Sequence, residues 1–516
     1  MFDPTNRLTR RALLAGAATG VLAASIPALA ETRPKKGTKA AAKKPAEPAV
    51  PVTPLPIPRL VDLADGETFD LVAQAGTHAF TGGKAVPVAG YGGGYMGPAL
   101  RLKSGTRPRV RLVNRLDRPT NVHWHGLLVP GRQDGGSHPG VAPGTTWEAE
   151  LAVDQPAATL WYHAHVHGRT TRDVHDGLAG LLIVEDGSSA RLGLPSTWGV
   201  DDIPLVLQDR LFDAEGRPQA PDLAATGEHG FRGPTMIVNG VTDAAARVPR
   251  RLVRLRLLAA GSARTFRLAF EDQRPIRLIA TDAGLLPAPV ELAGLVLSPG
   301  ERAEILVDFT DGATRLMTAP DDHEHRVGAD VMTMPDVVTG LVPLVAFDVI
   351  DDRAPAATLP TKLVELPALP RSTAGLPRRR FELRVRPNPA AAAMAGHDHG
   401  ASHASMTHGG HAMATDAPSE PPVFLTINGR AFAMGRIDAA VKLGATEIWE
   451  IVSPDMAHPF HLHGAHFRVL SEDGDPPKLW NRGLKDTVLV ENSAELLVTF
   501  AKPADAERPF LFHCHL

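Results

Sequence analysis

Four short motifs place pairs of histidines two residues apart in this chain of 516 residues. Because residues i and i+2 of a β-strand point to the same face of a sheet, each motif would aim two imidazoles in one direction. Imidazole nitrogens bind copper, zinc, iron and nickel. The motifs are HWH (His123, His125), HAH (His163, His165), HLH (His461, His463) and HCH (His513, His515). They predict a metal site that is built on β-strands.

The positions of the motifs indicate a cluster of ions. Two motifs lie in the first third of the chain and two lie near its end, so we expect distant parts of the chain to meet in a cleft lined by eight imidazoles. That is more ligands than one zinc ion takes. Two other close histidine pairs, at 323–325 and 397–399, lie in loop-like sequence and are left out of the predicted site.

Cys514 is the only cysteine, and it stands between His513 and His515. One cysteine excludes a disulfide within the chain. A thiolate beside imidazoles, with His458 of the segment MAHPFHLHG as its partner, is typical of a blue, electron-transfer copper site. The peptide bonds from Cys514 to its two neighbours would then carry electrons into the cluster. The alternative is a buried, inert cysteine.

Residues 1–30 have the features of a bacterial Tat signal peptide. Arg10 and Arg11 are followed by a mildly apolar stretch and then by Ala28-Leu29-Ala30, a small-residue cleavage site. This pattern predicts export through the Tat machinery to the periplasm, and the alternative is a short N-terminal membrane anchor. Residues 31–53 are rich in Lys, Ala and Pro, and we predict a disordered spacer there.

Short runs of alternating apolar residues predict β-strands in the rest of the chain. Examples are LVAQAGTHAF, RPRVRLVNRL, GLLIVED, RLVRLRLLAAG and AEILVDF. We place β domains at 54–187, 188–352 and 378–516, with a Pro-rich linker at 353–377. A His- and Met-rich insert at 391–416 interrupts the third domain, and we interpret it as a metal-collecting surface loop, the alternative being a plain linker.

The sequences NVHWHG, WYHAHVHG, HPFHLHG and FHCHL resemble the four copper motifs of the multicopper oxidases in order and spacing. The resemblance covers nearly all of the chain after the spacer. It implies an all-β fold of three consecutive cupredoxin-like Greek-key β-barrel domains. Within the family, VPGRQDGGSHPGVAPG and INGRAFAMGR resemble segments of the bacterial periplasmic copper-efflux (cuprous) oxidases.

Position by position, the resemblance implies ligands for four copper ions, one of type 1, one of type 2 and two of type 3. The type 2 copper would be held by His123 and His461. The two type 3 coppers would be held by His125, His163 and His515, and by His165, His463 and His513. The type 1 copper would be bound by His458 and Cys514.

Asp134 resembles a family acid that feeds protons to oxygen at the cluster. The sequence is equally compatible with a turn-capping role before Gly135 and Gly136. Asp455 and Met456, just before His458, are candidate ligands for substrate Cu(I), because soft sulfur selects that ion.

Two departures from the family pattern bear on activity. The methionine-rich helix that usually covers the type 1 site has lost nearly all its methionines here and offers histidines instead, which favours a more open site. The family continues past HCHL with a further type 1 histidine and an axial ligand. We therefore expect this sequence to lack the C-terminal end of a longer protein.

The resemblance implies a monomeric oxidase that takes single electrons, from Cu(I), and reduces O2 to water, which would give copper tolerance. A laccase-like oxidase of phenols and amines is an alternative. Two alternatives are not enzymes: a periplasmic copper-sequestering protein, and a copper-free cupredoxin scaffold like the relatives exported to the bacterial division site, which have lost their ligands. A formal net charge of −3 and few aromatic residues argue against nucleic-acid binding.

Overall fold

The chain folds as an all-β protein, with 46% of the described residues in strands and 5% in helices. The computed structural model describes residues 52–136, 139–221, 229–321, 323–327, 330–334, 338, 340–351, 358–387 and 423–516. The predicted signal peptide at 1–30, the spacer up to residue 51 and the insert at 391–416 lie outside these residues. No helix in the described ranges is long and apolar enough to cross a membrane.

The first domain consists of two sheets with strand orders β4-β3-β6-β8 and β2-β5-β10-β9-β7. Its strands are β2 (Leu60–Asp62), β3 (Thr68–His78), β4 (Val86–Tyr91), β5 (Ala99–Lys103), β6 (Arg109–Asn114), β7 (His123–His125), β8 (Thr146–Glu150), β9 (Ala158–His163) and β10 (Ala179–Glu185). Strand β1 (Thr53–Pro54) precedes them and joins a sheet of the middle domain. Its helices are α1 (Gly131–Asp134) and α2 (Thr170–Asp176), and α3 (Ser188–Arg191) follows β10.

The middle domain contains two six-stranded sheets, β1-β13-β23-β20-β15-β18 and β12-β11-β14-β19-β16-β17, and the hairpin β21-β22. Its strands are β11 (Asp202–Arg210), β12 (Thr235–Val238), β13 (Ala244–Pro249), β14 (Leu252–Ala259), β15 (Phe266–Phe270), β16 (Ile276–Thr281), β17 (Gly284–Leu292), β18 (Leu295–Leu297), β19 (Arg302–Asp308), β20 (Thr314–Ala319), β21 (His323–Val327), β22 (Asp330–Met334) and β23 (Val342–Ile350). The histidine pair at 323–325, expected in a loop, lies on β21 because that segment pairs with β22.

The third domain contains a six-stranded sheet, β26-β25-β24-β27-β31-β29, and a three-stranded sheet, β30-β28-β32. Its strands are β24 (Arg378–Pro387), β25 (Val423–Ile427), β26 (Arg430–Ala431), β27 (Thr446–Val452), β28 (His458–Leu462), β29 (His466–Glu472), β30 (Thr487–Val490), β31 (Ser493–Thr499) and β32 (Phe512–Cys514). A short 3-10 helix covers Leu479–Asn481.

Alternating sequence explains the half-buried strands. Along β6, Val110, Leu112 and Asn114 are buried, while the residues between them are exposed or half-buried. Val110 and Leu112 face the core, whereas Arg109 and Arg111 lie on the opposite, more exposed face, as a period of two requires. The predicted all-β class and the expected strand runs are therefore confirmed.

Three large clusters of buried apolar side chains lie in consecutive parts of the chain, and the second reaches Leu363, inside the predicted linker. Their members lie at 63–184, at 194–363 and at 381–498, except that Leu55 joins the middle cluster. Strand β1 likewise pairs with β13 of the middle domain. From Pro51 to Leu516 the chain forms one compact unit. The exact domain boundaries stay a prediction.

The middle core depends on β14, whose eight residues are all buried. We expect Leu255→Ala, which empties a fully buried position, to lower the free energy of unfolding by about 2–5 kcal/mol. Urea denaturation followed by fluorescence measures this loss. Leu341→Ala is the matched control, because Leu341 is 66% exposed, and equal losses in both variants would contradict the assignment of the core.

Candidate metal centre

In the first domain, strand pairing brings the HWH and HAH motifs together. Strands β7 and β9 are antiparallel neighbours, and His123 stands directly opposite His163. The alternation of β7 turns Trp124 into the core of the domain, while His123 and His125 face the other way. His165 follows β9, and its backbone N–H donates to Asn121 Oδ1 over 2.6 Å.

The third domain repeats this arrangement. Strand β28 pairs with β32 so that His461 stands opposite His513 and Phe460 opposite Cys514. Phe460 belongs to the domain core, and Cys514 packs against that core. His463 follows β28, and its backbone N–H donates to Leu511 O over 2.9 Å. Each domain therefore supplies two HxH motifs from one pair of adjacent strands.

Stacked imidazoles join the two halves. The ring centroids of His123 and His463 are 3.8 Å apart, and those of His125 and His461 are 3.7 Å apart at an interplanar angle of 13°. All eight predicted cluster histidines meet here. Their ligand atoms form groups in which every pair lies within 4.8 Å: His123, His125 and His461; His125, His163 and His515; His165, His463 and His513.

The hydrogen bonds leave ring nitrogens available for metal. One nitrogen of each of His123, His163 and His461 lies 2.9–3.0 Å from a backbone carbonyl oxygen, through Nδ1 in each ring. Five buried ring nitrogens of the cluster have no hydrogen-bond partner: His123 Nε2, His125 Nδ1, His163 Nε2, His461 Nε2 and His515 Nε2. Buried polar atoms are rarely left without a partner, so this set fits bound cations.

Burial keeps these imidazoles neutral. It lowers the pKa of His125, His163, His165, His461 and His463 well below the ordinary value, and repulsion from neighbouring histidines lowers each pKa further. The pKa falls to about 4 for His513 and to about 3 for His515, with burial as the main cause. Neutral rings present lone pairs, which is the form that binds metals.

Cys514 and His458 form a second, adjoining centre. His458 Nδ1 lies 3.3 Å from Cys514 Sγ, and His458 is buried. The backbone N–H of Leu516 donates to the same sulfur over 3.3 Å. Burial raises the pKa of the Cys514 thiol to about 12, so a bound cation is needed to hold it as a thiolate at neutral pH.

Asp134 ends the short helix α1 and is buried beside the cluster. Its Oδ2 lies 2.9 Å from His463 Nδ1 and accepts from the backbone N–H of Gly136 over 3.1 Å. Its Oδ1 has no partner. The side chain therefore caps the turn and also contacts a cluster histidine. Its role as a proton donor stays a prediction.

The substrate candidates are placed differently. The carboxylate of Asp455 accepts from Arg384 Nη1 over 2.9 Å, and Met456 is 2% exposed. A cavity of about 1270 Å3 lies beside His458 and Cys514. Among the described residues, neither Asp455 nor Met456 lines it. Their role as Cu(I) ligands stays a prediction.

Sequence reasoning missed Asp486, which lies just before β30. Its Oδ1 accepts from His125 Nε2 over 3.1 Å, and its backbone oxygen accepts from His461 Nδ1 over 2.9 Å. Burial raises the pKa of this carboxyl group, but the Arg302 guanidinium outweighs burial and holds the pKa below its ordinary value. No motif spacing could have revealed Asp486, because it belongs to no histidine pair.

Comparison with known proteins identifies the class. Sequence models of the family described as multicopper oxidase match residues 72–189 and 397–516. The chain also resembles the solved laccase-like multicopper oxidase CueO of Ochrobactrum sp., with 38% identity, a TM-score of 0.76 and coverage of 90% of this chain and 96% of that one. A multicopper oxidase from Pediococcus acidilactici is 30% identical, with a TM-score of 0.71 and coverage of 90% and 89%. The chain belongs to the multicopper oxidase family.

Another relative is named for cell division and not for oxidation. The cell division protein FtsP of Xenorhabdus nematophila is 36% identical over 90% of this chain and 89% of its own length. The predicted family resemblance is thus confirmed, and membership implies copper as the metal. Family membership alone does not decide between an oxidase and a cell division protein.

The buried histidines make copper-free protein sensitive to acid. The pKa values of seven cluster histidines lie below 6.5, the ordinary value, namely those of His125, His163, His165, His461, His463, His513 and His515. Below about pH 6.5 the unfolded chain therefore binds more protons than the folded one. Stability is therefore present above this pH and falls as the pH drops. Between pH 7.5 and 5.5 each such histidine removes about 1.4 kcal/mol, and urea denaturation of copper-free protein should show a loss of several kcal/mol.

His515→Gln provides the control for this pH effect. Removing one buried imidazole should reduce the pH-dependent loss by about 1.4 kcal/mol. Equal stability of the parent protein at both pH values would contradict the neutral, buried state of the cluster.

Proposed function

We propose that the protein is a copper-dependent oxidase that couples one-electron oxidation of Cu(I) to the four-electron reduction of O2 to water. The observation that carries this proposal is the complete set of eight histidines, brought together with five buried ring nitrogens that have no partner. Copper bound there would supply the one-electron redox chemistry that side chains lack.

The ligand groups support the predicted assignment. His123 and His461 would hold a type 2 copper, as members of one group of converging nitrogens. The two remaining groups, each of three histidines, would hold the type 3 coppers. The type 1 copper would be bound by His458 and Cys514. The proposal therefore includes four copper ions.

Cys514 would connect the electron-accepting centre to the cluster. It is covalently continuous with His513 and His515, which belong to two different groups of cluster histidines. The path from sulfur to cluster therefore runs through the protein backbone and leaves no gap. A serine at this position would keep the backbone but remove the sulfur ligand.

Asp134 would hold and deliver protons. Its Oδ2 lies 2.9 Å from His463 Nδ1 and 3.3 Å from His123 Nδ1, whereas its buried Oδ1 has no hydrogen-bond partner. A carboxyl group placed at the edge of the cluster can pass protons to reduced oxygen, a step that typically accelerates reactions by about 10²–10⁴-fold.

The FtsP relatives favour a second candidate, a copper-free scaffold in cell division. The cluster argues against it in this chain. Without metal, buried imidazole nitrogens without partners cost free energy and bring no benefit. A scaffold has no physical reason to keep five of them in contact.

The laccase-like alternative rests on a different observation. The solved CueO of Ochrobactrum sp. has oxidase activity towards lignin model compounds and lignosulfonate. The cavity beside Cys514 is lined in part by Phe432 and Met434, an apolar surface suited to aromatic reductants. Phenols and amines are therefore the second substrate class.

The proposal also includes Tat-dependent export, a periplasmic location and a monomeric state.

Oxygen consumption by copper-loaded, full-length protein tests the function. We expect uptake with Cu(I), and comparison with a phenol ranks the two substrate classes. Cys514→Ser should bind copper at the cluster and yet consume oxygen only at the background rate. Copper binding by the parent protein without oxygen uptake from either reductant would replace the oxidase by a sequestering protein, and failure to bind copper would favour the scaffold.

Asp134→Asn tests the proton role. It should slow oxygen uptake at neutral pH by about 10²-fold or more with copper content unchanged, because the amide cannot deliver a proton. Asp186→Asn is the matched control, because Asp186 also accepts a backbone N–H two residues ahead, from Ser188, over 2.7 Å. Equal rates in the two variants would leave Asp134 with only its turn-capping role.

A further inference from the structure

Arg302 connects the middle domain, which has no copper motif, to the histidine cluster. It is the first residue of β19 and is 1% exposed. Its guanidinium makes five hydrogen bonds: Nε to Thr159 O (3.2 Å), Nη1 to Gly300 O (2.8 Å) and Asp486 Oδ1 (2.7 Å), and Nη2 to Asp282 O (3.0 Å) and Asp486 Oδ2 (2.5 Å). Every N–H of the fork is used, so the group cannot turn.

Asp486 connects the fixed guanidinium of Arg302 to the histidine cluster. Both of its oxygens are held by Arg302, and Oδ1 also accepts from Thr487 Oγ1 over 2.9 Å. The same Oδ1 accepts from His125 Nε2 over 3.1 Å. Thr487 Oγ1, which is itself bonded to this Oδ1, lies 3.2 Å from the same His125 nitrogen. A bidentate arginine–carboxylate pair has little freedom of orientation, so the carboxylate acceptor for His125 has one position.

The effect is visible in the orientation of His125. His123, His163 and His461 leave Nε2 without a partner, but His125 leaves Nδ1. The reason is that Asp486 Oδ1, with Thr487 Oγ1 beside it, accepts the Nε2–H of His125, which turns Nδ1 towards the cluster. His125 belongs to two of the groups of converging nitrogens, so its orientation matters to both.

Two glycines show how closely the middle domain approaches. A Cβ on Gly126 would lie 2.6 Å from both Arg302 Nη2 and Asp486 Oδ2, so only glycine fits after the HWH motif. Gly300 has φ +86°, and a Cβ there would lie 3.0 Å from the ring of His515. The loop before β19 therefore contacts one cluster histidine directly and another through Asp486.

We propose that Arg302 and Asp486 are positioning residues of the copper cluster, which select Nδ1 of His125 as its metal-facing nitrogen. The proposal rests on the proposed copper-binding function for its consequences in affinity. Its geometrical part, the orientation of the His125 ring, stands without copper. Positioning partners of this kind typically change metal affinity by about 10–100-fold.

Asp486→Asn is the first test. The amide NH2 would face Arg302 Nη2 in one orientation, and Arg302 Nη1 together with His125 Nε2 in the other. All of these are donors, so at least one hydrogen bond of the Arg302–Asp486–His125 chain is lost in either orientation. Asp202→Asn is the matched control, because Asp202 is also buried and accepts two hydrogen bonds from an arginine, Arg256, over 2.7 and 2.9 Å, and that arginine does not bond to Asp486. We expect copper affinity, measured by competition with a chelator, to fall about 10–100-fold in the first variant and to change little in the second.

Arg302→Lys and Arg256→Lys form a second matched pair. Lysine keeps the buried positive charge but cannot hold both carboxylate oxygens. Copper affinity and the electron paramagnetic resonance spectrum of the copper-loaded protein should change in Arg302→Lys and not in Arg256→Lys. The positioning role would be overturned if each variant and its control changed copper affinity equally. It would also be overturned if neither Asp486→Asn nor Arg302→Lys had any effect.

Crystal structures of copper-free Asp486→Asn and Asp202→Asn separate this inference from the proposed function. We expect the His125 ring to turn, or its hydrogen bond to be lost, only in the first variant. An unchanged ring would overturn the inference whether or not the parent protein binds copper. Failure of the parent protein to bind copper, with a turned ring in the variant, would overturn the oxidase proposal and keep the positioning role.

Discussion

Eight imidazoles that face one another, five of them buried and three half-buried, impose the main constraint on this structure. Each ring must be held by an acceptor on one side so that its other nitrogen faces its neighbours. Backbone carbonyls do this for several rings and Asp486 does it for His125. Stacked pairs across the cleft, such as His123 with His463, then bring the first and third domains into contact. The domain arrangement follows from the need to close this cluster.

The middle domain stabilises that arrangement through buried charge. Arg302 contacts Thr159 of the first domain and Asp486 of the third. Close by, Lys485 lies 3.1 Å from Asp282 and 2.9 Å from Glu301. Breaking one buried pair leaves an uncompensated charge, which typically costs about 3–5 kcal/mol. A domain without a copper motif is therefore part of the support of the centre.

Fold and site give different information about function. Overall similarity links the chain both to the laccase-like CueO of Ochrobactrum sp. and to FtsP cell division proteins at nearly the same identity. One fold can carry unrelated functions, so the decision belongs to the site. The site contains buried ring nitrogens without hydrogen-bond partners, and it places the sulfur of Cys514 beside His458. Both features serve metal binding, and packing alone would not produce them.

The sequence by itself determined the strand character, the four HxH motifs and the pairing of Cys514 with His458, because these depend on a period of two and on residue type. It could also place Asp134 near the cluster through family resemblance. Only the tertiary structure decided how Arg302, Gly300 and Asp486 contribute, since they are distant in sequence from the rings they hold. It also gave Asp455 an arginine partner. Long-range hydrogen bonds leave no periodic trace in a chain, and so the choice of the nitrogen that His125 presents could be read only from the fold.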